Sequence, residues 1–347
     1  MSEQKQATQD IASVLSTVFD GDVLSREQAR SVMGYLMDGA VSSVQASALL
    51  AALRTRGETV EEIVGFAEAM RARSIKVQST STEPILDTCG TGGTGIDTLN
   101  ISTTAAFVAA SGGVKVAKHG NRGVTKSSGS ADVLEALGVD LDASPDRLTQ
   151  SLEEIGIAFI FARAHHPAMK FVAPIRAELK ARTVFNVLGP LTNPAGASRQ
   201  LMGLYSPSLL EKIARVLHGL GLERALVVHG DGIDDFTVTG ETEVCELTAD
   251  GTVEAFTVTP EAVGLSRHRL EDLYGGGPDE NAATLRGILA GEIRGARRDV
   301  VLFNAGAVLY LADHVPSLAA GVVRAAELID SGTAQDTLER FLAFQGR

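Results

Sequence analysis

The sequence predicts an α/β protein in two unequal parts: a small N-terminal helical bundle, then a larger domain with a mainly parallel sheet flanked by helices. Three observations carry this. Up to about Ser74, helix starts and stops recur at close intervals with no β-like run between them. Beyond Pro84, short apolar runs alternate with helical segments, the pattern of a parallel sheet covered by helices. Composition agrees. The 347 residues include 36 glycines and no tryptophan, and only 5% are aromatic, which suits tight α/β turns better than an aromatic sandwich core.

Taken in order, Ser25 with Gln28, Ser42 with Gln45 and Thr59 with Glu62 have capping-box spacing, and Gly39 and Gly57 stand where the helices between them should stop. Val44, Ala48, Leu49 and Leu53 form an apolar stripe at helical spacing. So small a bundle must cover its apolar face, and a dimer interface is the expected use. "KVQSTSTEP", residues 76–84, is polar and ends in proline, as a hinge does. Next come the β-like runs "PILDTCG", "GVKVAKHG", "IAFIFA", "RALVVHG" and "DVVLFNAG", with "TTAAFVAASG" and "ADVLEALG" as helical segments. Several runs end in glycine or polar clusters, so functional groups should gather at the carboxyl ends of the strands, where open α/β sheets bind ligands. Residues 167–194 break the alternation with helical spacing and prolines, and are expected to rejoin the bundle. The division is therefore 1–75 with a return at about 167–194, a hinge at 76–84, and an α/β domain of 85–166 and 195–347.

Net charge is −12, from 31 Lys plus Arg against 43 Asp plus Glu. That argues against a nucleic-acid or anionic-membrane binder but allows a small basic pocket. Cys89 and Cys245, far apart, offer neither a disulfide framework nor a zinc knuckle, and a reducing cytoplasm is the expected home. The polar, acidic N-terminus reads as neither signal peptide nor membrane span.

Chemistry concentrates in three loops. "CGTGGTG", Cys89–Gly95, satisfies G-x-G-x-x-G through Gly90, Gly92 and Gly95. A dinucleotide fold needs an acidic residue about 20 positions on. Here the next strand-like run ends instead in Lys118, His119, Asn121 and Arg122, which suit phosphate. A Walker A loop is excluded, since Gly-Lys occurs nowhere. What remains is a loop whose backbone N–H groups can approach an anion, followed by "NISTTAAF" opening a helix with Asn100, Ser102 and Thr103 as donors. Lys118 and "HGNRGVTKSSGSAD" form a second donor-rich turn with a helix start near Ser130. Either loop alone could be a plain tight turn; together they could hold two phosphates. The third loop, "VVHGDGIDDFTVTG", clusters Asp231, Asp234 and Asp235, as a solvated turn or a Mg²⁺ site beside a polyphosphate would.

As a set, "CGTGG…NIST", "KHGNR…GSADVLEALG", "HPAM", "RTVFNVLGPLTNP" and "ENAATLRGILAGE…RRDVVLFNAGAVLY" resemble the anthranilate phosphoribosyltransferases, in family order and over essentially the whole chain. The resemblance implies a nucleoside phosphorylase/phosphoribosyltransferase-like fold, a homodimer formed through the helical domain, and Mg²⁺-dependent transfer of phosphoribose from phosphoribosyl pyrophosphate to anthranilate in tryptophan biosynthesis. It implies that Gly90, Gly92, Gly93, Thr94, Thr98, Asn100, Ile101, Ser102 and Thr103 bind the donor. Lys118, His119, Gly120, Asn121, Arg122, Thr125, Lys126 and Ser130 fall in the second donor-binding turn. Ser102, Asp234 and Asp235 match the metal positions, and Gly90, His119, Asn121, His166 and Arg176 those beside anthranilate. Arginine suits a planar carboxylate. An aryl amine is already neutral at pH 7, so catalysis needs positioning and charge stabilisation, with Lys118 and Arg176 most influential, and no covalent nucleophile. Cys89 reads as a small strand-end residue. Of His165 and His166 at most one should face the site, and His166 is favoured; His229 reads as a strand-end hydrogen-bonding residue.

Three positions depart from the family pattern: Thr94 replaces an aspartate for which Asp97 is the nearby substitute, Asp235 replaces a glutamate, and Lys180 replaces a glycine. Two relatives of this fold are less suited. A nucleoside phosphorylase is longer, and a nucleic-acid-binding relative would be basic and lack the acids. A transferase using another aromatic amine stays open.

Overall fold

The computed structural model describes residues 3–123 and 127–345. Four helices come first: α1 (Glu3–Phe19), α2 (Arg26–Met37), α3 (Ser43–Arg56) and α4 (Val60–Ala72). All three capping boxes form at the expected residues, and Gly39 and Gly57 take the left-handed backbone beyond α2 and α3. Glu62 does more than cap α4. Fully buried, it accepts hydrogen bonds from the backbone of Leu24 and Thr59 and pairs with Arg56, tying three helix ends together. The expected apolar stripe of α3 is shifted. Leu49 and Leu53 are buried, but Val44 is 78% exposed and the buried face runs through Ala46, Leu49, Leu50 and Leu53. Its i, i+3, i+4, i+7 spacing is the better helical match, which leaves Val44 at the first turn pointing to solvent.

The rest comprises β1 (Ile85–Asp87), α5 (Ile101–Ser111), β2 (Lys115–Gly120), α6 (Ser130–Ala136), α7 (Pro145–Glu154), β3 (Ile157–Phe161), α8 (Ala162–His165), α9 (Ala173–Leu179), α10 (Phe185–Leu188), β4 (Arg199–Gly203), α11 (Leu210–Gly219), β5 (Arg224–Gly230), β6 (Thr242–Leu247), β7 (Val253–Val258), α12 (Pro278–Leu289), α13 (Ala296–Leu311), α14 (Leu318–Asp330) and α15 (Thr333–Gln345). The strands form one sheet in the order β3-β2-β1-β4-β5-β6-β7. Pairing is parallel from β3 to β5 and antiparallel from β5 to β7. Strands β4, β6 and β7 were not anticipated. "DVVLFNAG", expected as a strand, lies inside α13. That helix is buried around most of its surface, and an apolar run buried on all sides carries no periodicity to separate helix from strand.

Side chains alternate across the sheet between two packing layers. Leu226 and Val228 of β5 face α5, α13 and α14, while Ala225 and Val227 face α11 and the N-terminal helices. Val172, Ile175, Phe185 and Leu188, from the segment that interrupts the β–α rhythm, lie in the same apolar cluster as α2, α3 and α4.

Lys180, in place of the family's glycine, ends α9 in the left-handed region (φ 45°), its N–H bonded to the Arg176 carbonyl. The helix thus ends as a glycine would end it, at a steric cost. Lys180→Gly is expected to stabilise the protein by about 0.5–1 kcal/mol, the left-handed penalty less the added flexibility of the unfolded chain. Urea unfolding checks this; a loss of stability would contradict it.

Candidate active site

Strand β1 sits mid-sheet, with β2 on one side and β4 on the other, and the chain reaches those neighbours in opposite directions. This is a switch point, and the loops after β1, β2 and β5 gather at its carboxyl edge. In the loop after β1, Gly92, Gly93 and Gly95 all have left-handed φ values, so side chains there would be strained. Thr91 anchors the loop: its N–H donates to the Gly203 carbonyl, and its hydroxyl accepts from the N–H of Tyr205. Gly92 N–H donates to Asp234 Oδ2 at 2.6 Å, joining the glycine loop to the acidic loop after β5. Thr94 turns inward on the loop, its hydroxyl accepting from Ile96 N–H.

Helix α5 opens at Asn100 without a side-chain cap, since that amide donates to the Ser128 carbonyl. Ile101 N–H turns back to the Leu99 carbonyl, while the N–H groups of Ser102 and Thr103 meet no acceptor among the described residues and can serve a ligand. Lys118, only 3% exposed, points there and donates to Ser102 Oγ at 3.1 Å, Thr88 Oγ1 at 3.2 Å and the Thr88 carbonyl. Thr98, Ile101 and Thr103 have buried side chains.

In the second turn a Cβ on Gly120 would strike Ser130 Oγ and the Phe159 ring, so only glycine fits. Asn121 is exposed, and its carbonyl accepts from Ala131 N–H and Ser130 Oγ. Arg122 is held by Asp132 and Glu135, so contact with phosphate would require it to change partners. Thr125 and Lys126 lie outside the described residues. Asp97 is engaged by Ser127, through both its backbone N–H and its hydroxyl. It therefore fastens the second turn to the first.

Asp234 and Asp235 are both buried, between the fully buried Ile233 and Phe236. Asn304 of α13 pins this loop: it accepts from Phe236 N–H and donates to the Phe236 carbonyl. Glycines make room, since a Cβ on Gly90 would lie 2.9 Å from Asp234 Oδ2. His119 and His166 are buried with ring centroids 5.2 Å apart, whereas His165 turns away and donates from Nδ1 to the Ile75 carbonyl. His229 donates from Nδ1 to the Leu204 carbonyl, a strand-end role. Burial, with His165 and Lys76, pushes His166 down to about 4; burial first, then His166 and His165, holds His119 well below the usual imidazole value. Arg176 lies on α9 over the Phe185 ring, and its guanidinium has no hydrogen bond or ion pair among the described residues. Among the described residues no hydrogen bond, ion pair or ring contact joins its side chain to the other candidates.

A family model for the helical bundle domain of a glycosyl transferase family matches residues 12–74, and one for its α/β domain matches residues 82–335. An anthranilate phosphoribosyltransferase of Rubrobacter xylanophilus is 53% identical over 94% of this chain and 95% of its own length. The chain belongs to the anthranilate phosphoribosyltransferase family. The Thermus thermophilus member superposes with a TM-score of 0.91 at 51% identity, covering 96% of this chain and 99% of that one. The Saccharomyces cerevisiae member, solved in complex with PRPP and Mg, reaches 0.87 at 28% identity, covering 96% and 97%.

Sequence reasoning missed three residues of this site. Asp87 is fully buried and accepts from His119 N–H and from the Asn193 amide; Arg182 donates to the Gly93 carbonyl and lies over the Tyr205 ring. Asn193 and Arg182 stood within quoted motifs, but nothing local marked their partners. Burial raises Asp87 to about 6.

These shifts predict acid sensitivity. Between pH 6.5 and about 4 the unfolded chain binds a proton at residue 166 that the folded protein refuses, so stability is complete above that window and falls as pH drops. His119 acts in the same direction, and Asp87 in the opposite one below about 6. His166→Gln should reduce the stability difference between pH 7.5 and pH 5 by about 2 kcal/mol. Urea titrations at both pH values measure it, and an unchanged difference would refute a neutral buried His166.

Proposed function

We propose that this enzyme transfers the phosphoribosyl group of phosphoribosyl pyrophosphate to the amino nitrogen of anthranilate, in tryptophan biosynthesis. The C1–oxygen bond to pyrophosphate breaks, a C1–nitrogen bond forms, and the nitrogen loses a proton. The observation that carries this reading is the Gly92–Asp234 hydrogen bond, which places a glycine-rich anion loop against an acidic pair. Around it, the uncapped N-terminus of α5 and Lys118 supply positive potential for the departing pyrophosphate. The residues present fit Mg²⁺: Ser102, Asp234 and Asp235 are an all-oxygen donor set, and Gly90 leaves space beside it. When bound, Mg²⁺ neutralises charge on the pyrophosphate. The half-buried Arg176, whose guanidinium has no hydrogen bond or ion pair among the described residues, suits the anthranilate carboxylate, and neutral His119 and His166 suit an aromatic ring. The family relationship favours anthranilate over another aromatic amine. No side chain is needed as a nucleophile.

The same reading assigns residues 1–75 and about 167–194 to a helical lobe that closes on the α/β lobe across the 76–84 hinge. It also makes the protein a homodimer. Phe19, Val23 and Val44, all exposed on the helical lobe, support that interface. Two free cysteines suit a cytoplasmic location, and among the described residues no helix is long and apolar enough to cross a membrane.

Anthranilate fluorescence is expected to fall on mixing with enzyme, phosphoribosyl pyrophosphate and Mg²⁺, and to stay constant with EDTA; no loss across a wide Mg²⁺ range would refute the assignment. Arg176→Lys should raise KM for anthranilate about 10–100-fold with little change in KM for the donor, because the bidentate fork is lost. Equal effects on both would remove Arg176 from the acceptor pocket. Sedimentation should give twice the chain mass, and Val44→Glu should lower it; a wild-type monomer would exclude the dimer.

A further inference from the structure

Beside the all-oxygen Mg²⁺ set lies a group of different chemistry. Asp87, Cys89 and His119 each present one ligand atom, a carboxylate oxygen, a thiol sulfur and a ring nitrogen, and these lie within 4.8 Å of one another. We propose that these three residues form a second metal site, for a thiophilic divalent cation of the Zn²⁺ class, at the carboxyl ends of β1 and β2.

Three features support it beyond proximity. His119 is 2% exposed, yet neither of its ring nitrogens reaches hydrogen-bond geometry with any described residue; the Gly189 carbonyl is nearby but outside that geometry. A buried imidazole without partners costs stability and calls for a ligand. An imidazole offers a metal one ring-nitrogen lone pair. Secondly, the ligands sit on rigid elements. Asp87 ends β1, Cys89 follows two residues on, and His119 lies in the strand paired with β1. Asp87 is oriented by hydrogen bonds from His119 N–H at 3.0 Å and the Asn193 amide at 2.7 Å, one to each oxygen, and each oxygen keeps a further lone pair. Thirdly, sulfur, nitrogen and oxygen donors favour Zn²⁺ and disfavour Mg²⁺, and three protein ligands leave a fourth position open.

Binding forms a metal–sulfur bond and releases the thiol proton to solvent. The metal would engage His119 and so compete with the aromatic acid; this last step rests on the proposed function, the binding itself does not.

The test is a Co²⁺ titration of the full-length, metal-free protein in excess Mg²⁺, followed by the thiolate-to-cobalt charge-transfer absorption. The expected result is a band saturating at a single equivalent, displaced by Zn²⁺, abolished in Cys89→Ala and retained in Cys245→Ala. His119→Asn should weaken binding at least about tenfold. Circular dichroism of each variant separates lost ligation from lost folding, and Cys89→Ser repeats the test without a cavity. No band in the wild type, a band surviving Cys89→Ala, or unchanged affinity in His119→Asn would overturn the site. Zn²⁺ should also inhibit competitively against anthranilate in the wild type and not in Cys89→Ala. If the protein consumes no anthranilate at all, the functional reading fails while the Co²⁺ result still decides the metal site.

Discussion

The ligand edge of the sheet depends on the buried carboxylate of Asp87. One oxygen takes the backbone N–H of His119 and the other the amide of Asn193, which also donates to the Ala117 carbonyl. One side chain thus fixes the carboxyl ends of β1 and β2 and, through Asn193, the segment that leads into β4. Burial raises its pKa to about 6, and Lys118 and these hydrogen bonds oppose that rise, so at neutral pH it is a compensated charge. Charge-assisted bonds of this kind are roughly twice as strong as neutral ones and directional. The positions of the glycine loop and the second turn follow from it.

Strand β2 then sorts the chemistry by face. Lys118 points to the α5 side, with Val116, and reaches Ser102; His119 points to the other side, with Ala117, and meets His166. A cationic group and an imidazole are therefore neighbours in sequence on opposite faces of one strand. The segment 167–194 reaches this edge through Arg182, which lies over Tyr205 and donates to Gly93.

Local features were legible. Capping boxes at Ser25, Ser42 and Thr59, and glycines 39 and 57, involve only residues three or four apart, so spacing alone reveals them. Strands β1, β2, β3 and β5 were visible because each is a short apolar run ending in glycine or a polar cluster. β4 was not, because "RQLMG" is short and half polar; β6 and β7 have charged, partly exposed faces. The strand expected at "DVVLFNAG" is a helix, and its Asn304 pins the acidic loop from across the core.

By itself the sequence determined the α/β class, the helical start, the glycine loop, the acidic pair and the family, because composition, local spacing and ordered motifs are properties of the chain. Only the tertiary structure decided that Gly92 bonds Asp234 across 142 residues, that Asp97 secures Ser127, that Arg122 is committed to Asp132 and Glu135, and that Asp87, Cys89 and His119 converge. The reason is physical. Hydrogen-bond partners and burial depend on which strand ends the sheet order brings side by side, and that order is settled by packing the whole chain at once.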